Sequence, residues 1–358
     1  MPGERTRAFA PGRVNLIGEH TDYNQGLALP FAIAEGVTVD ARERTPGPDG
    51  AERVEAHAVE LREYDEFELA APAPATGWRA FVRGTVAELA RAGFPLTPAV
   101  LEISGDVPLG AGLSSSAALE VALSLALLGL GAHGVGGVPR TDAQKVELAR
   151  LCARVESDWV GAQTGLLDQL ASLFGAADTA LCIDFRSLEV QRVSLGLGAW
   201  RLAVLDSGER HSHASSGYNE RRAECAAASE LLGVASLRDA DHEAALSLPE
   251  PLRRRALHVL SENERVRESV TALRADDLQA VGGLLNASHA SLRDCFEVST
   301  PTVERAVERL LGAGAAGARL MGGGFGGSVL GLFAPGVPLP GGAREVRPGP
   351  GAHLTGDR

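Results

Sequence analysis

Two short stretches of this chain concentrate groups that could do chemistry. Residues 13 to 24 gather Arg13, Asn15, Glu19, His20, Asp22, Tyr23 and Asn24 around Gly12 and Gly18. Carboxylates, amides and an imidazole on one turn suit a polyhydroxylated ligand, because carboxylates accept directionally from hydroxyls. A turn stabilised by its own Asn and Asp side chains has the same composition. The second stretch, residues 107 to 117, runs Val-Pro-Leu-Gly-Ala-Gly-Leu-Ser-Ser-Ser-Ala. Its glycines let backbone approach a ligand closely. Its three serines open an apolar helical run, whose free N–H groups and dipole attract anions. An ordinary serine-capped helix remains the alternative.

Two further acids stand out. Asp168 lies in Gly165-Leu166-Leu167-Asp168-Gln169, between a glycine turn and an apolar run. It reads either as a helix cap or as a working carboxylate. Glu156 reads as a metal ligand or as a solvated helix charge. Residues 322 to 327 match G-x-G-x-x-G formally, but no long helix or downstream ribose-binding acid follows. A glycine hairpin lining a pocket fits them better. His211 and His213 have no third ligand nearby in sequence, so zinc is not expected.

Composition narrows the classes. Lys145 is the only lysine among 358 residues. P-loop NTPases, protein kinases with a strand lysine and Schiff-base enzymes are therefore excluded. A formal net charge of −12, with no basic patch, disfavours nucleic acid as a partner. No segment approaches about 20 uninterrupted apolar residues, so no membrane span is expected. The first residues run directly into motif sequence, which leaves no room for a signal peptide. The four cysteines lack a Cys-x-x-Cys pattern and read as thiols in a reducing, cytoplasmic setting.

The elements that must position these groups follow from periodicity. Strands are expected over 36–44, 53–59, 64–69, 99–105, 180–185, 190–195 and 201–207. Helices are expected over 78–93, 117–130 and, from a Thr141/Gln144 capping box, to about residue 160. The second half reads as mainly helical, over 217–232, 252–273, 276–292 and 301–313, with short strands flanking the last glycines. The pattern is α+β, in two domains of residues 1–195 and 196–333. Residues 334–358, rich in Pro and Gly, are expected to be a loose tail.

Taken together, the motifs resemble a known family. The fifteen residues Ala10 to Asn24 look like the galactokinase signature. Residues 107 to 117 are similar to the ATP motif of the GHMP kinases, and Met321 to Ser328 to their third, glycine-rich motif. The resemblance spans residues 8 to about 333. It implies the GHMP kinase fold, with the active site in a cleft between two domains. It further implies a cytoplasmic, monomeric enzyme that uses MgATP to phosphorylate galactose at C1. By this resemblance Glu19, His20, Thr21, Asp22, Gly165 and Tyr218 bind the sugar. Gly110, Ala111, Gly112, Leu113, Ser114, Ser115 and Ser116 wrap the ATP phosphates, and Trp78 lies near the adenine. Ser116 and Glu156 hold Mg²⁺, while Asp168 acts as base with Arg13 beside it. A guanidinium beside a carboxylate favours the ionised form. Met321 and Ser328 depart from the family pattern, which usually has Thr and Cys there. Kinases of N-acetylgalactosamine or arabinose and a non-catalytic galactose sensor are the rival readings.

Overall fold

The computed structural model describes residues 4–45, 47–108, 112–130, 137–162, 165–209 and 214–356. In chain order the first half runs β1 (Arg5–Asn15), β2 (Leu27–Ala28), β3 (Pro30–Glu43), β4 (Arg53–Ala58), β5 (Glu63–Glu68), α1 (Trp78–Arg91), β6 (Ala99–Gly105), α2 (Ser115–Leu130), α3 (Asp142–Arg154) and α4 (Leu167–Phe174). Then follow β7 (Thr179–Asp184), β8 (Glu189–Ser194), β9 (Arg201–Asp206), α5 (Ala214–Leu232), α6 (His242–Leu246), α7 (Leu252–Arg274), α8 (Leu278–Asp294), α9 (Pro301–Gly312), β10 (Ala315–Leu320), β11 (Ser328–Phe333), β12 (Arg344–Val346) and β13 (His353–Leu354).

The strands form three sheets, ordered β13-β1-β3-β6-β4-β5, β10-β11-β9-β12 and β2-β7-β8. All pairings are antiparallel except β4 with β6. Helix α2 is apolar on every side, which marks a fully buried helix. It packs on β1 and β3 of the six-stranded sheet and is flanked by α1, α3 and α4. The Thr141/Gln144 capping box forms at the start of α3. That helix then widens into a π-helical segment, Val155–Val160. One core lies under these helices and a second between α5, α7, α9 and the four-stranded sheet. A third joins both halves of the chain, from Val14 and Phe31 to Val266 and Leu330.

The C-terminal segment is not a loose tail. Strand β12 pairs with β9, and β13 pairs with β1, so residues 344–354 belong to two different sheets. Between them the Gly349 N–H donates to the Ala32 carbonyl at 2.8 Å, and the Ala352 N–H to the Ser172 carbonyl at 2.8 Å. Glycine composition suggested disorder. Here the missing Cβ atoms instead permit backbone-to-backbone packing, since a Cβ on Gly351 would fall 2.3 Å from the Gly175 carbonyl oxygen.

Candidate active site

Arg13 enters the site through a break in strand pairing. The register of β1 against β3 shifts between Pro11 and Arg13, so Gly12 stands as a bulge that re-aims the next side chain. Glycine is required there because a Cβ would sit 2.5 Å from the Leu113 carbonyl oxygen. That carbonyl accepts the Arg13 N–H at 3.0 Å, which docks the serine loop against β1. The Arg13 guanidinium then grips Asp168 with both edges, Nε to Oδ1 at 2.8 Å and Nη2 to Oδ2 at 3.0 Å. Its Nη1 donates to the Gly112 carbonyl at 2.6 Å. Such a fork fixes direction as well as charge. Asp168 lies in the first turn of α4 and makes no side-chain cap there; its carboxylate faces Arg13 and Ser114.

The serine loop leads into α2. Ser114 adopts a left-handed φ of 61° and Ser115 opens the helix. Leu113 buries its side chain in the joining core, so only its backbone faces the loop. Ser116 donates to Glu156 Oε1 at 3.0 Å. The π-helical segment turns Glu156 inward, where it is buried, and Gln169 donates to its other oxygen at 3.1 Å. The same amide reaches the buried Glu120 at 3.4 Å. Burial, and then the neighbouring Glu156, raise the Glu120 carboxyl well above its usual range. Gly110 and Ala111 lie outside the described residues, as do His211 and His213.

The turn after β1 holds the other group of polar side chains. The Thr21 hydroxyl lies against the Gly18 and Leu27 carbonyls at 3.0 and 2.7 Å, which commits it to closing the turn. His20 is buried, with a left-handed φ of 61°, and its Nδ1 pairs with the Tyr23 hydroxyl at 2.9 Å. Burial, with the Arg221 and Arg319 charges adding to it, holds His20 well below its usual titration range. Among the described residues, Nε2 of His20 has no hydrogen-bond partner. Burial, with Glu19 and Asp168 adding to it, raises Asp22 to about 6. A Cβ on Gly165 would fall 1.8 Å from Asp22 Oδ2, so that carboxylate lies directly over the backbone three residues before Asp168. Tyr218 of α5 stands 5.5 Å from the His20 ring and against the Gly323 backbone. Burial, then Asp22, push its phenol well above the usual value.

Helix α7 supplies residues that sequence reading missed. Its Glu262 accepts the Gly18 N–H at 3.0 Å, and its Asn263 accepts the Leu27 N–H at 2.7 Å. Its His258 places Nε2 3.2 Å from the Glu19 carbonyl. That carbonyl can only accept, so Nε2 carries the proton and Nδ1 accepts from Ser291 at 2.8 Å. Burial would raise Glu262, but Arg265, His258 and Arg319 bring it down to about 2. Trp78 lies at the start of α1, half-buried, with its Nε1 donating to Glu63 and Arg79 over its ring.

This layout has relatives. Residues 3–43 match the galactokinase galactose-binding signature, residues 80–176 the GHMP kinase N-terminal domain and residues 269–346 the GHMP kinase C-terminal domain. Galactokinases of Streptomyces coelicolor and Mycobacterium tuberculosis are each 44% identical to the chain, over 90% of it and 82% or 87% of theirs. The chain belongs to the galactokinase family of GHMP kinases. The solved Lactococcus lactis galactokinase, complexed with galactose, superposes with a TM-score of 0.85 at 32% identity, covering 98% of this chain and 95% of its own. A Methanococcus jannaschii mevalonate kinase shares the fold, with a TM-score of 0.63 at 18% identity over 93% of this chain and 91% of its own. The galactokinase-family fold is thus α+β with two domains. Side chains from both halves meet at the site, where Tyr218, Gly322 and Gly323 close on the turn at residues 18–27.

Proposed function

We propose that the chain transfers the γ-phosphoryl group of ATP to the C1 hydroxyl of galactose, giving galactose 1-phosphate and ADP. The observation that carries this reading is the juxtaposition of the Arg13–Asp168 pair with Asp22 across Gly165. A charged pair poised for a hydroxyl thus stands beside a turn that carries carboxylate and imidazole groups. In this reading His20, Asp22, Glu19 and Tyr218 take the sugar hydroxyls, Gly165 gives its backbone to them, and Thr21 holds their turn. The serine loop and the start of α2 present N–H groups to the ATP phosphates, and Trp78 lies on the adenine side.

Asp168 orients the C1 hydroxyl and receives its proton as the oxygen–phosphorus bond forms and the bond to ADP breaks. Arg13 keeps that carboxylate in place and offsets charge on the transferred group. Positioning and charge neutralisation do most of the work in such a loose transition state, so one carboxylate and one guanidinium suffice without lysine. Ser116 Oγ and Glu156 are hard oxygen donors of the kind Mg²⁺ takes and would hold the ion together with the nucleotide. Among the described residues no group of three or more His, Cys, Asp or Glu side chains gathers as a metal site, which fits an ion held largely by nucleotide. Bound there, Mg²⁺ would neutralise phosphate charge.

The domain boundary in this reading falls between residues 195 and 196, just before β9. A monomer in the cytoplasm completes it; among the described residues no helix is long and apolar enough to cross a membrane. The test is ATP consumption by the purified protein over a panel of sugars with Mg²⁺. Galactose-dependent turnover is expected, and its absence sinks the proposal. A stronger response to N-acetylgalactosamine or arabinose would reassign the substrate.

A further inference from the structure

Arg319 is a full charge in an apolar strand. It lies on β10 between Ala318 and Leu320, with 0% of its side chain exposed. Burying a guanidinium costs several kcal/mol before any partner offsets it, and an apolar side chain of similar volume often serves stability as well. Its partners lie some three hundred residues away in sequence. Nη1 donates to the carbonyls of Asn15 and Leu16 at 2.9 and 3.0 Å, where β1 gives way to the sugar turn. Nη2 lies 3.0 Å from Glu19 Oε1. That contact is an ion pair without hydrogen-bond alignment, and among the described residues Nη2 and Nε find no hydrogen-bond acceptor. A purely structural arginine would satisfy those donors.

The Gly322 N–H, from the glycine segment that follows β10, donates to the same Oε1 at 2.8 Å. Both groups therefore grip one oxygen of Glu19, and among the described residues Oε2 takes no hydrogen bond from the chain. We infer that Arg319 is a positioning residue for sugar recognition: by pinning the Asn15 and Leu16 carbonyls and Oε1 of Glu19, it turns Oε2 toward a sugar hydroxyl. The inference rests on the proposed role of Glu19 in sugar binding. It makes β10 and the glycine segment part of the sugar site.

The test compares galactose affinity, by calorimetry without nucleotide, with KM for each substrate. Arg319→Lys keeps the charge but loses the fork, so it should fold and weaken galactose about tenfold while KM for ATP stays within about twofold. Arg319→Met should weaken galactose further. In the double variant with Glu19→Gln the two effects should fall short of additive, because both act through one carboxylate. Thermal melts and near-ultraviolet circular dichroism confirm folding. A folded Arg319→Lys with galactose affinity unchanged, beside a Glu19→Gln that loses it, overturns the inference alone. If Glu19→Gln itself binds galactose normally, the sugar-site reading fails first. An Arg319→Met that weakens ATP and galactose alike, additively with Glu19→Gln, would assign Arg319 to folding and overturn the inference.

Discussion

The Ser114 hydroxyl donates to Oδ2 of Asp168 at 2.5 Å, from a backbone held at a φ of 61°. The loop proposed to carry ATP thus touches the carboxylate proposed to act on the sugar. A serine in left-handed backbone costs on the order of 1 kcal/mol, and such strain gathers at functional sites. The arrangement means that the loop positions Asp168 as well as the phosphates proposed to bind there. Ser114→Ala should lower kcat about 10-fold, the worth of one hydrogen bond to a charged group, with KM for galactose unchanged. Ser114→Gly relieves the backbone without returning the hydroxyl, so it should recover stability but not kcat. Steady-state kinetics and melting curves separate the two; a rise in KM for ATP alone would make Ser114 only a phosphate ligand.

Asp168 takes Arg13 on both oxygens, so an amide in its place removes the charge and one acceptor of the fork together. Asp168→Asn should cut kcat by about 10²–10⁴-fold and leave galactose affinity largely intact. Arg13→Lys is no conservative change here, because an ammonium cannot hold both oxygens of Asp168 and the Gly112 carbonyl together. We expect it to lose about 10²-fold in kcat. Single-turnover kinetics beside calorimetric galactose binding reads both. An Asp168→Asn variant with full activity would remove Asp168 from the mechanism.

Asp22 gives a pH dependence of definite sign. Burial raises it from an ordinary 3.8 to about 6, so between those values the folded chain holds a proton that the unfolded chain has lost. Stability of the sugar-free protein therefore falls as pH rises through that window, and above it the full cost of the buried charge is present. Asp22→Asn should raise the melting temperature at pH 8 and change it little below pH 4. Galactose binding should run the other way, because in the proposed role of Asp22 the sugar hydroxyls donate to its ionised carboxylate. Affinity should hold above about pH 7 and weaken as pH falls through about 6, and calorimetry on the Asn variant should lose that slope.

Much of this was legible in the chain, and the reason is local. The turn at residues 13–24, the capping box of Thr141 and Gln144, and the buried helix α2 each draw their signal from a few neighbouring residues. The clamp on the turn at residues 18–27 was not legible. Glu262 and Asn263 look like a solvated helix face until the fold brings Gly18 and Leu27 to them across more than two hundred residues. Arg319 did leave a signal, a charge inside an otherwise apolar strand, but its partner could not be named without the fold. The C-terminal glycines misled for a physical reason. Their composition is shared by disordered segments and by backbones that must pack closely, and sequence does not separate the two.

That close packing carries the last prediction. The segment after β12 crosses from the four-stranded to the six-stranded sheet and passes the end of α4, where the Ala352 N–H reaches Ser172. Helix α4 carries Asp168 at its other end, so the strap buttresses the element that presents the carboxylate proposed to be catalytic. A side chain at Gly351 would strike the Gly175 backbone, which has no flexible end to yield. Gly351→Val should therefore destabilise by about 1–3 kcal/mol, the usual range for overpacking. Deleting residues 347–358 should cost more, because the β13–β1 pairing and the Gly349–Ala32 and Ala352–Ser172 bonds go with it. Denaturant unfolding measures the loss, and hydrogen exchange at the amides of residues 170–174 shows whether it falls on α4. Unchanged protection there, with lower overall stability, would show that the strap ties the sheets together without supporting the helix.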